Sequence, residues 1–289
     1  MSLMVIDFHT HCFPDSIAAK TIDKLSGETH TKAFSDGTAR SLLRIDKEAG
    51  IDLSVIMPIA TDPAKVERIN DRAATYNDGG PLMSFACIHP DHPDPKKELK
   101  RVLSMGFRGI KLHSFFQVAP FDDIRNLRIV SLCAELGLIV LAHAGQDMGF
   151  PGRVCANPEM IRSVVLQAGK PQKDGDYQFI AAHMGGWGCW ERVPDVLEDT
   201  GVMIDTSTSV GTLYRRPGDD TLRDDQLPLL DAKGFMKIYN AFGPERMVFA
   251  SDSPWTDAKE SLDFLKALPI GSDDLELILG KNAEKLLKL

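Results

Sequence analysis

The segment Met4-Val-Ile-Asp-Phe-His-Thr-His11 is an apolar run of strand length that stops at two histidines. Side chains of a β-strand alternate between two faces, so Asp7, His9 and His11 are predicted to point the same way. Two neutral imidazoles side by side at the end of a strand make a clamp for a divalent metal. The segment therefore predicts a first strand that opens a metal site, and later strands are expected to supply the remaining ligands.

Similar short apolar runs recur along the chain, with helix-like segments between them. They are rich in Val, Ile, Leu and Phe and almost continuously hydrophobic, which is typical of strands buried on both faces. The predicted strands cover residues 4–9, 53–58, 82–88, 108–113, 138–143, 179–183, 202–205 and 247–251. Amphipathic helices are predicted at residues 38–50, 96–105, 122–136 and 158–168. Gly50 and Gly137 are suited to end a helix, and Asn157 is suited to begin one.

Eight strands that alternate with helices predict parallel β/α units, because parallel strands need crossover connections. Right-handed crossovers around eight strands close a (β/α)8 TIM barrel, which we expect to span residues 1–289 as a single α/β domain. The alternative is an open doubly wound sheet. It is disfavoured because no glycine-rich phosphate loop follows any strand and polar residues follow many strands, not one switch point. Long polar loops, of the kind that often form lids, are predicted at 27–37 and 206–227.

The composition argues against several classes of protein. The 289 residues carry a formal net charge of −8 with an isoelectric point of about 5.5, which disfavours nucleic-acid and anionic-membrane surfaces. No apolar span is long enough to cross a bilayer and no signal-peptide pattern is present, so a cytoplasmic protein is expected. Five cysteines without paired spacing favour reduced thiols. The expected partner is a small-molecule substrate, and a homodimer is the default for a soluble oligomer.

Polar side chains stand where the later predicted strands end. Lys111 and His113 close the fourth strand, His143 the fifth and His183 the sixth, and Asp252 follows the eighth. The carboxyl ends of all strands of an α/β barrel meet at one mouth, where active sites lie. A single histidine at a strand end is more often a hydrogen-bonded loop residue than a ligand. Several polar side chains at one mouth favour a functional site. Among the five, the roles of Lys111 and His113 are the most open.

These residues lie within five short motifs that follow one another over nearly the whole chain. The motifs are Asp7-Phe-His9-Thr-His11, Gly109-Ile-Lys-Leu-His113, Leu141-Ala-His143-Ala-Gly, Ala182-His183-Met-Gly-Gly and Ser251-Asp252-Ser-Pro. In this order they resemble the motifs of the amidohydrolase superfamily. The likeness is greatest to the branch that includes aminocarboxymuconate semialdehyde decarboxylase and many TIM-barrel metal hydrolases. One His-x-His motif is common among proteins, whereas five motifs in order make the resemblance to the superfamily strong.

The resemblance implies that His9, His11, His143 and Asp252 bind a divalent metal and that His183 lies beside the reacting group. Three imidazoles and a carboxylate suit one Zn²⁺, and Mn²⁺, Fe²⁺ or Co²⁺ also fit. A bound cation lowers the pKa of its water to about 7. Asp252 would take the proton of that water and pass it to the leaving group, while His183 would polarise a substrate carbonyl.

Lys111 has two alternative roles under this resemblance. In some members of the superfamily a lysine of the fourth strand is carboxylated and bridges two metals, whereas the branch that this chain most resembles generally lacks this bridge. Because His113 follows two residues later, we expect one metal, and an anion-binding role for Lys111 is equally open. The side chains expected to hold or wall the substrate are Lys111, His113, Arg153, Trp187, Arg215 and Arg216.

The leading functional hypothesis is metal-dependent hydrolysis of a small amide, ester or lactone by a metal-activated water. The first alternative is non-oxidative decarboxylation of a small unsaturated or aromatic carboxylic acid, in which the metal and Asp252 assist protonation of a substrate carbon. A hydratase is a third hypothesis, and a catalytically inactive binding protein that keeps the fold is a fourth. Every type of ligand that a catalytic metal site needs is present, which argues against the fourth hypothesis. The sequence does not separate hydrolysis from decarboxylation.

Overall fold

Short strands and α-helices alternate along the chain in this computed structural model, which describes residues 3–222 and 229–289. The strands are β1 (Ile6–Thr10), β2 (Leu53–Ile56), β3 (Leu82–Ser84), β4 (Ala86–Cys87), β5 (Gly109–Leu112), β6 (Ile139–Ala142), β7 (Phe179–Ala181), β8 (Met203–Asp205) and β9 (Met247–Val248). The helices are α1 (Asp15–Thr29), α2 (Ala39–Ala49), α3 (Val66–Ala73), α4 (Pro95–Ser104), α5 (Ile124–Leu136), α6 (Pro158–Ala168), α7 (Val193–Leu197), α8 (Ala232–Phe242), α9 (Ala258–Ala267), α10 (Ser272–Glu276) and α11 (Asn282–Leu287).

Two predicted loops differ from expectation in their extent. The loop predicted at 27–37 is shorter, because α1 continues to residue 29. The loop predicted at 206–227 ends in a segment, 223–227, that lies outside the described residues. None of the helices described is long and apolar enough to cross a bilayer.

The strands are joined in parallel pairs around a ring. Their hydrogen-bonded orders are β1-β2-β3 and β4-β5-β6-β7-β8-β9. The amide of Phe85, between β3 and β4, donates to the carbonyl of Ile56 at 3.0 Å and links the two sheets on one side. On the other side the amide of Phe8 in β1 donates to the carbonyl of Phe249, next to β9, at 2.9 Å. The fold is a TIM barrel, as predicted, with the third predicted strand divided into β3 and β4.

Each strand buries side chains on both of its faces. In β6, Ile139 and Leu141 belong to the apolar cluster inside the barrel, together with Phe8 of β1. Val140 and Ala142 of the same strand belong to the cluster between the barrel and its helices. This double burial explains why the strands read as continuous apolar runs and not as alternating ones.

The predicted helix boundaries are confirmed where capping residues mark them. Thr38 precedes α2, and its Oγ1 accepts a hydrogen bond from the amide of Ser41 at 3.2 Å. Gly50 follows the helix with a φ of 78°, a left-handed conformation that favours glycine. Asn157 precedes α6, and its Oδ1 accepts from the amide of Met160 at 2.9 Å. Local side-chain chemistry thus sets the ends of these helices.

Asp7 departs from the predicted shared face. The register of β1 against β2 shifts between Asp7 and Thr10, as in a β-bulge, so the simple alternation of faces fails there. The carboxyl group of Asp7 accepts hydrogen bonds from the amide (2.9 Å) and the hydroxyl of Ser251 and does not join the rings of His9 and His11. The expectation that the three side chains point the same way is therefore wrong for Asp7, which ties β1 to the segment after β9.

Replacing Asp7 by Asn is expected to change how stability depends on pH. Burial raises the pKa of Asp7 from 3.8 to about 8, so the native state holds a proton that the unfolded chain releases at lower pH. The contribution of Asp7 to the free energy of unfolding is therefore full below about pH 4 and is lost as the pH rises through about 8. Urea denaturation from about pH 4 to about pH 9 should show this decline in the native protein and a flatter profile in Asp7→Asn. Identical profiles for the native protein and Asp7→Asn would show that the pKa of Asp7 is not raised in the native state.

Candidate metal centre

Three of the predicted ligands meet at the carboxyl ends of the strands. His9 lies in β1, His11 follows it, and Asp252 follows β9, and one ligand atom from each lies within 4.8 Å of the other two. Oδ1 of Asp252 lies 3.1 Å from Nε2 of His11 and 3.6 Å from Nε2 of His9. Two imidazoles and a carboxylate that converge in this way match the donor set of a divalent-metal centre with open positions.

The backbone around this group adopts conformations that are unfavourable for residues other than glycine. His183 after β7 has a φ of 61° and Asp252 after β9 a φ of 63°. A side chain in the left-handed region costs on the order of 1 kcal/mol or more, so such residues persist only where the surroundings fix them. Both side chains are thereby aimed into the mouth of the barrel, where strained residues are commonly functional.

Asp205, which was not among the predicted residues, orients two of the histidines. Its Oδ2 accepts a hydrogen bond from Nδ1 of His9 at 2.9 Å, and its Oδ1 accepts from the backbone amide of His183 at 2.8 Å. Burial alone would raise the pKa of this carboxyl, but His9 lowers it to about 2, so Asp205 is an anion. A carboxylate on the far nitrogen fixes the tautomer of a metal-binding histidine. The sequence signal for Asp205 is its place at the end of the strand predicted at 202–205.

Nε2 of His9 is the nitrogen that remains for a cation. Burial and the positive charge of Lys111 lower the pKa of His9 to about 4, so its ring is neutral. Lys111 is 1% exposed, and its Nζ donates to Nε2 of His9 at 2.8 Å. Burial lowers the pKa of Lys111 to about 8, although Asp252 and Asp205 oppose this shift. Lys111 therefore faces the candidate ligands inside the barrel and competes with a cation for the lone pair of His9.

His143 and His183 form a pair of rings between two carbonyl groups. Nδ1 of His143 lies 3.0 Å from Nε2 of His183, and their outer nitrogens lie 3.0 Å from the carbonyl oxygens of Gln146 and Ser207. A carbonyl oxygen only accepts, so the three contacts need three N–H groups, whereas two neutral imidazoles supply two. Burial lowers the pKa of both rings and keeps them neutral. The hydroxyl of Ser207 also lies 2.9 Å from Nδ1 of His183 and can donate to it, so the tautomers of the two rings decide which nitrogen keeps a lone pair.

His143 does not lie within the group formed by the other three predicted ligands. Its ligand atom groups with those of His113 and Asp147, again within 4.8 Å. Nε2 of the His143 ring lies beside the carbonyl of Gln146 and Nδ1 beside Nε2 of His183, which holds the ring in this position. Three of the four predicted ligands thus form one group in this structure, and His143 belongs to a second group of possible ligands at the mouth. The role of His143 as a ligand of the same metal stays a prediction.

Aromatic side chains line one side of the mouth. The ring of His113 lies 4.6 Å from that of Phe116, which in turn lies 5.2 Å from that of Phe150. Arg153 is exposed and its guanidinium lies over Phe150, 5.4 Å from the ring centroid. Trp187 is half-buried, and its amide donates to the loop after β6. His113, Arg153 and Trp187, all predicted substrate-binding residues, therefore lie on the loops that surround the histidines.

The two arginines predicted to anchor the substrate after the seventh strand form ion pairs near the surface. Nη2 of Arg216 lies 2.7 Å from the carboxylate of Asp23 in α1. Nη1 of Arg215 lies 3.7 Å from the carboxylate of Asp220 in its own loop. Both arginine side chains are more than a third exposed. These pairs attach the loop to its surroundings, and an anchoring role for either arginine would require it to leave its carboxylate.

The model of the amidohydrolase family matches residues 6–289 of the chain. This chain belongs to the amidohydrolase family. The resemblance drawn from the five motifs is thereby confirmed, together with the TIM-barrel fold. No functionally curated protein matches the sequence.

Solved structures share the fold over almost the whole chain of this amidohydrolase. An uncharacterized TIM-barrel protein from Bordetella bronchiseptica has a TM-score of 0.72 at 19% identity, covering 99% of each chain. A manganese-bound 5-carboxyvanillate decarboxylase from Novosphingobium aromaticivorans has a TM-score of 0.68 at 14% identity, covering 100% of this chain and 98% of the other. A probable 2-pyrone-4,6-dicarboxylic acid hydrolase from Acinetobacter baumannii has a TM-score of 0.64 at 15% identity, covering 99% of each chain. At these identities the likeness shows the fold alone.

Replacing Asp205 by Asn is expected to weaken metal binding by about 10–100-fold, because the amide no longer fixes His9 with Nε2 free. Isothermal titration of the chelator-treated protein with Zn²⁺ measures this change. Asp46→Asn is the matched control, since Asp46 is a buried aspartate of α2 that belongs to neither ligand group. Equal affinities for the native protein and Asp205→Asn would show that Asp205 does not orient a ligand.

Proposed function

We propose that this chain is a divalent-metal-dependent decarboxylase of a small aromatic or unsaturated carboxylic acid. The observation that carries the proposal is the convergence of His9, His11 and Asp252 beside the buried Lys111. Membership of the amidohydrolase family supports metal-dependent chemistry at this edge of the barrel. The choice of decarboxylation over hydrolysis is supported by the solved structures of the same fold, several of which are named as decarboxylases of benzoic or vanillic acids.

The donor set is chemically suited to the cation. His9 offers Nε2 because Asp205 holds Nδ1, His11 lies 3.1 Å from Asp252, and the three residues leave coordination positions free for water or substrate. Nitrogen and carboxylate donors accept Zn²⁺ or Mn²⁺, and manganese is present in the related decarboxylase from Novosphingobium aromaticivorans. When bound, such a cation polarises substrate oxygens and lowers the pKa of water.

Asp252 is the proposed proton carrier. Burial alone would raise the pKa of its carboxyl, but His9, His11 and His183 hold it well below its usual range, so Asp252 is an anion. Its Oδ2 also accepts a hydrogen bond from Oγ1 of Thr208 at 2.5 Å. We propose that Asp252 accepts the proton of a substrate hydroxyl or water and returns it to a carbon. The bond from that carbon to the carboxylate breaks, carbon dioxide leaves, and the proton takes its place.

His183 is proposed to hold the substrate beside Asp252. Its ring centroid lies 5.5 Å from that of His9, and Ser207 contacts its Nδ1. The indole of Trp190 donates to its backbone carbonyl at 2.9 Å, which further fixes the residue. A neutral imidazole fixed in this way presents Nε2 toward the centre of the mouth, where it can exchange its contact with His143 for one with a substrate oxygen.

The aromatic wall favours a flat substrate. His113, Phe116 and Phe150 present ring faces and edges that suit stacking on an aromatic or unsaturated acid. Arg153, next to Phe150, is an exposed cation beside this wall and is proposed to attract the substrate carboxylate. Lys111 adds a second positive charge deeper in the barrel.

Hydrolysis of a small lactone, amide or ester is the second candidate. The same anionic Asp252 can take a proton from water as well as from a substrate hydroxyl, so the geometry of the site serves both reactions. The related hydrolase from Acinetobacter baumannii, which is named for a pyrone dicarboxylic acid, supports this alternative.

Incubation of the metal-loaded protein with carboxylated phenols and with a pyrone dicarboxylate separates the two candidates. Decarboxylation releases carbon dioxide from a phenol such as 5-carboxyvanillate, whereas hydrolysis opens the lactone ring without gas release. We expect carbon dioxide, measured by coupled assay, and loss of the signal after treatment with a chelator. Consumption of the pyrone alone would favour hydrolysis, and turnover that survives complete metal removal would contradict the proposal.

Replacing Asp252 by Asn is expected to lower kcat by about 10²–10⁴-fold, because an amide cannot accept and return the proton. The metal content of the variant, measured by elemental analysis, separates loss of proton transfer from loss of the cation. His30→Ala is the control, since His30 pairs with Asp219 outside the two ligand groups and its loss should change kcat less than about twofold. A variant Asp252→Asn with native kcat would refute the role of the aspartate.

A further inference from the structure

We propose that Thr208 is a positioning residue that decides which oxygen of Asp252 faces a bound cation. Its hydroxyl holds Oδ2 away from His9 and His11, so that the carboxylate presents Oδ1 to the metal. Oδ2 then stays available for the proton that Asp252 is proposed to carry. The inference deepens the proposed function and rests on the role of Asp252 in it, whereas the effect on the cation can be measured without a substrate.

The two carboxylate oxygens of Asp252 have different surroundings. Oδ1 lies 3.1 Å from Nε2 of His11 and 3.6 Å from Nε2 of His9. Oδ2 accepts a hydrogen bond from Oγ1 of Thr208 at 2.5 Å, a length typical of a hydroxyl that donates to an ionised carboxylate. The carboxylate is thus divided between the candidate ligands on one side and a hydroxyl on the other.

The conformation of Asp252 itself does not fix which oxygen faces the cation. Its backbone is held, since its amide donates to the carbonyl of His9 at 2.8 Å and its carbonyl accepts from the amide of Trp255 at 2.9 Å. The last torsion of an aspartate side chain is broad, however, and rotation about it moves both oxygens. A contact from outside the residue must therefore set the carboxylate, and Thr208 supplies one at Oδ2.

Thr208 adopts a backbone conformation that is unusual for its residue type. Its φ is 44°, in the left-handed region that favours glycine and is crowded for a β-branched side chain. It is the third residue of a turn that the amide of Ser209 closes by donating to the carbonyl of Thr206 at 3.2 Å. Glycine or asparagine is the usual residue with a positive φ at this position of a turn. A threonine held there indicates a role for its hydroxyl, because strained residues persist where the surroundings fix them and cluster at functional sites.

The turn that carries Thr208 is anchored to the barrel. Oγ1 of Thr206 donates to the carbonyl of Ala250 and accepts from its amide, both at 2.9 Å. Oγ of Ser207, the next residue, lies 2.9 Å from Nδ1 of His183. The turn therefore presents two consecutive hydroxyls, those of Ser207 and Thr208, to the mouth in fixed positions.

The absorption spectrum of the cobalt-loaded full chain tests the role of Thr208. Co²⁺ fits the same donors as Zn²⁺, and its visible bands change with the number and arrangement of the ligands. Thr208→Val removes the hydroxyl at nearly equal volume, and Thr208→Gly removes it while fitting the left-handed backbone. We expect both variants to lose the native band pattern, because Oδ2 of Asp252 is then free to turn toward the cation. Thr208→Ser keeps a hydroxyl and should keep the native spectrum.

Two further variants serve as references. Thr75→Val is the matched control, since the hydroxyl of Thr75 donates to the carbonyl of Arg72 after α3 and its loss should leave the spectrum unchanged. Asp252→Ala removes both oxygens and should abolish the native band pattern. On a substrate found with the carbon dioxide assay, Thr208→Gly should lower kcat by about 10–100-fold and change KM less than about twofold, because Thr208 acts through Asp252.

The outcomes separate this inference from the proposed function. A native spectrum in folded Thr208→Gly would overturn the role of Thr208 and leave that of Asp252 intact, even if the melting temperature fell. Thr208→Gly decides the question if Thr208→Val fails to fold, because glycine is not strained at this φ. A native chain that binds no Co²⁺, or a native spectrum in Asp252→Ala, would overturn the proposed metal centre and this inference with it.

Discussion

The junction between β1 and the segment after β9 determines where the chemistry of this amidohydrolase can occur. The amide of Asp252 donates to the carbonyl of His9 at 2.8 Å, and the amide of His11 donates to the carbonyl of Ser253 at 2.7 Å. Because all the strands are parallel, their carboxyl ends lie at one edge, and these two bonds bring the first and last of them together there. The hydrogen bond from the amide of Ser251 to Asp7 stabilises the same junction deeper in the barrel. The candidate ligands meet because the barrel closes.

Electrostatic balance at the mouth favours a bound cation. Asp205 and Asp252 are both anions, with pKa values below the usual range for aspartate, and Lys111 supplies one positive charge between them. The imidazoles of His9 and His183 are neutral because burial lowers their pKa values. A buried charge without a partner is costly, so positive charge beside the second anion stabilises the site. A divalent cation or a positively polarised substrate group provides it.

The fold and part of the candidate site could be predicted from the sequence. Apolar runs predicted the strands, because continuous burial on two faces leaves a clear pattern. Amphipathic periodicity and capping residues predicted four of the eleven α-helices described, α2, α4, α5 and α6. The faces of β1 could not be predicted, since the bulge beyond Asp7 depends on the register against β2. Asp205 ends a strand but belongs to none of the quoted motifs, and only its contact with His9 reveals its role. The position of the His143 ring depends on its contact with the backbone carbonyl of Gln146. A contact with the backbone leaves no signal in the sequence.

Anomalous X-ray scattering from crystals of the zinc-loaded protein shows whether His9, His11 and Asp252 share one cation. The proposed metal centre predicts a peak about 2.0–2.2 Å from Nε2 of His9, from a ring nitrogen of His11 and from a carboxylate oxygen of Asp252, with Nζ of Lys111 displaced from His9. A fully loaded crystal without a peak at this position, in which Lys111 still contacts His9, would contradict it.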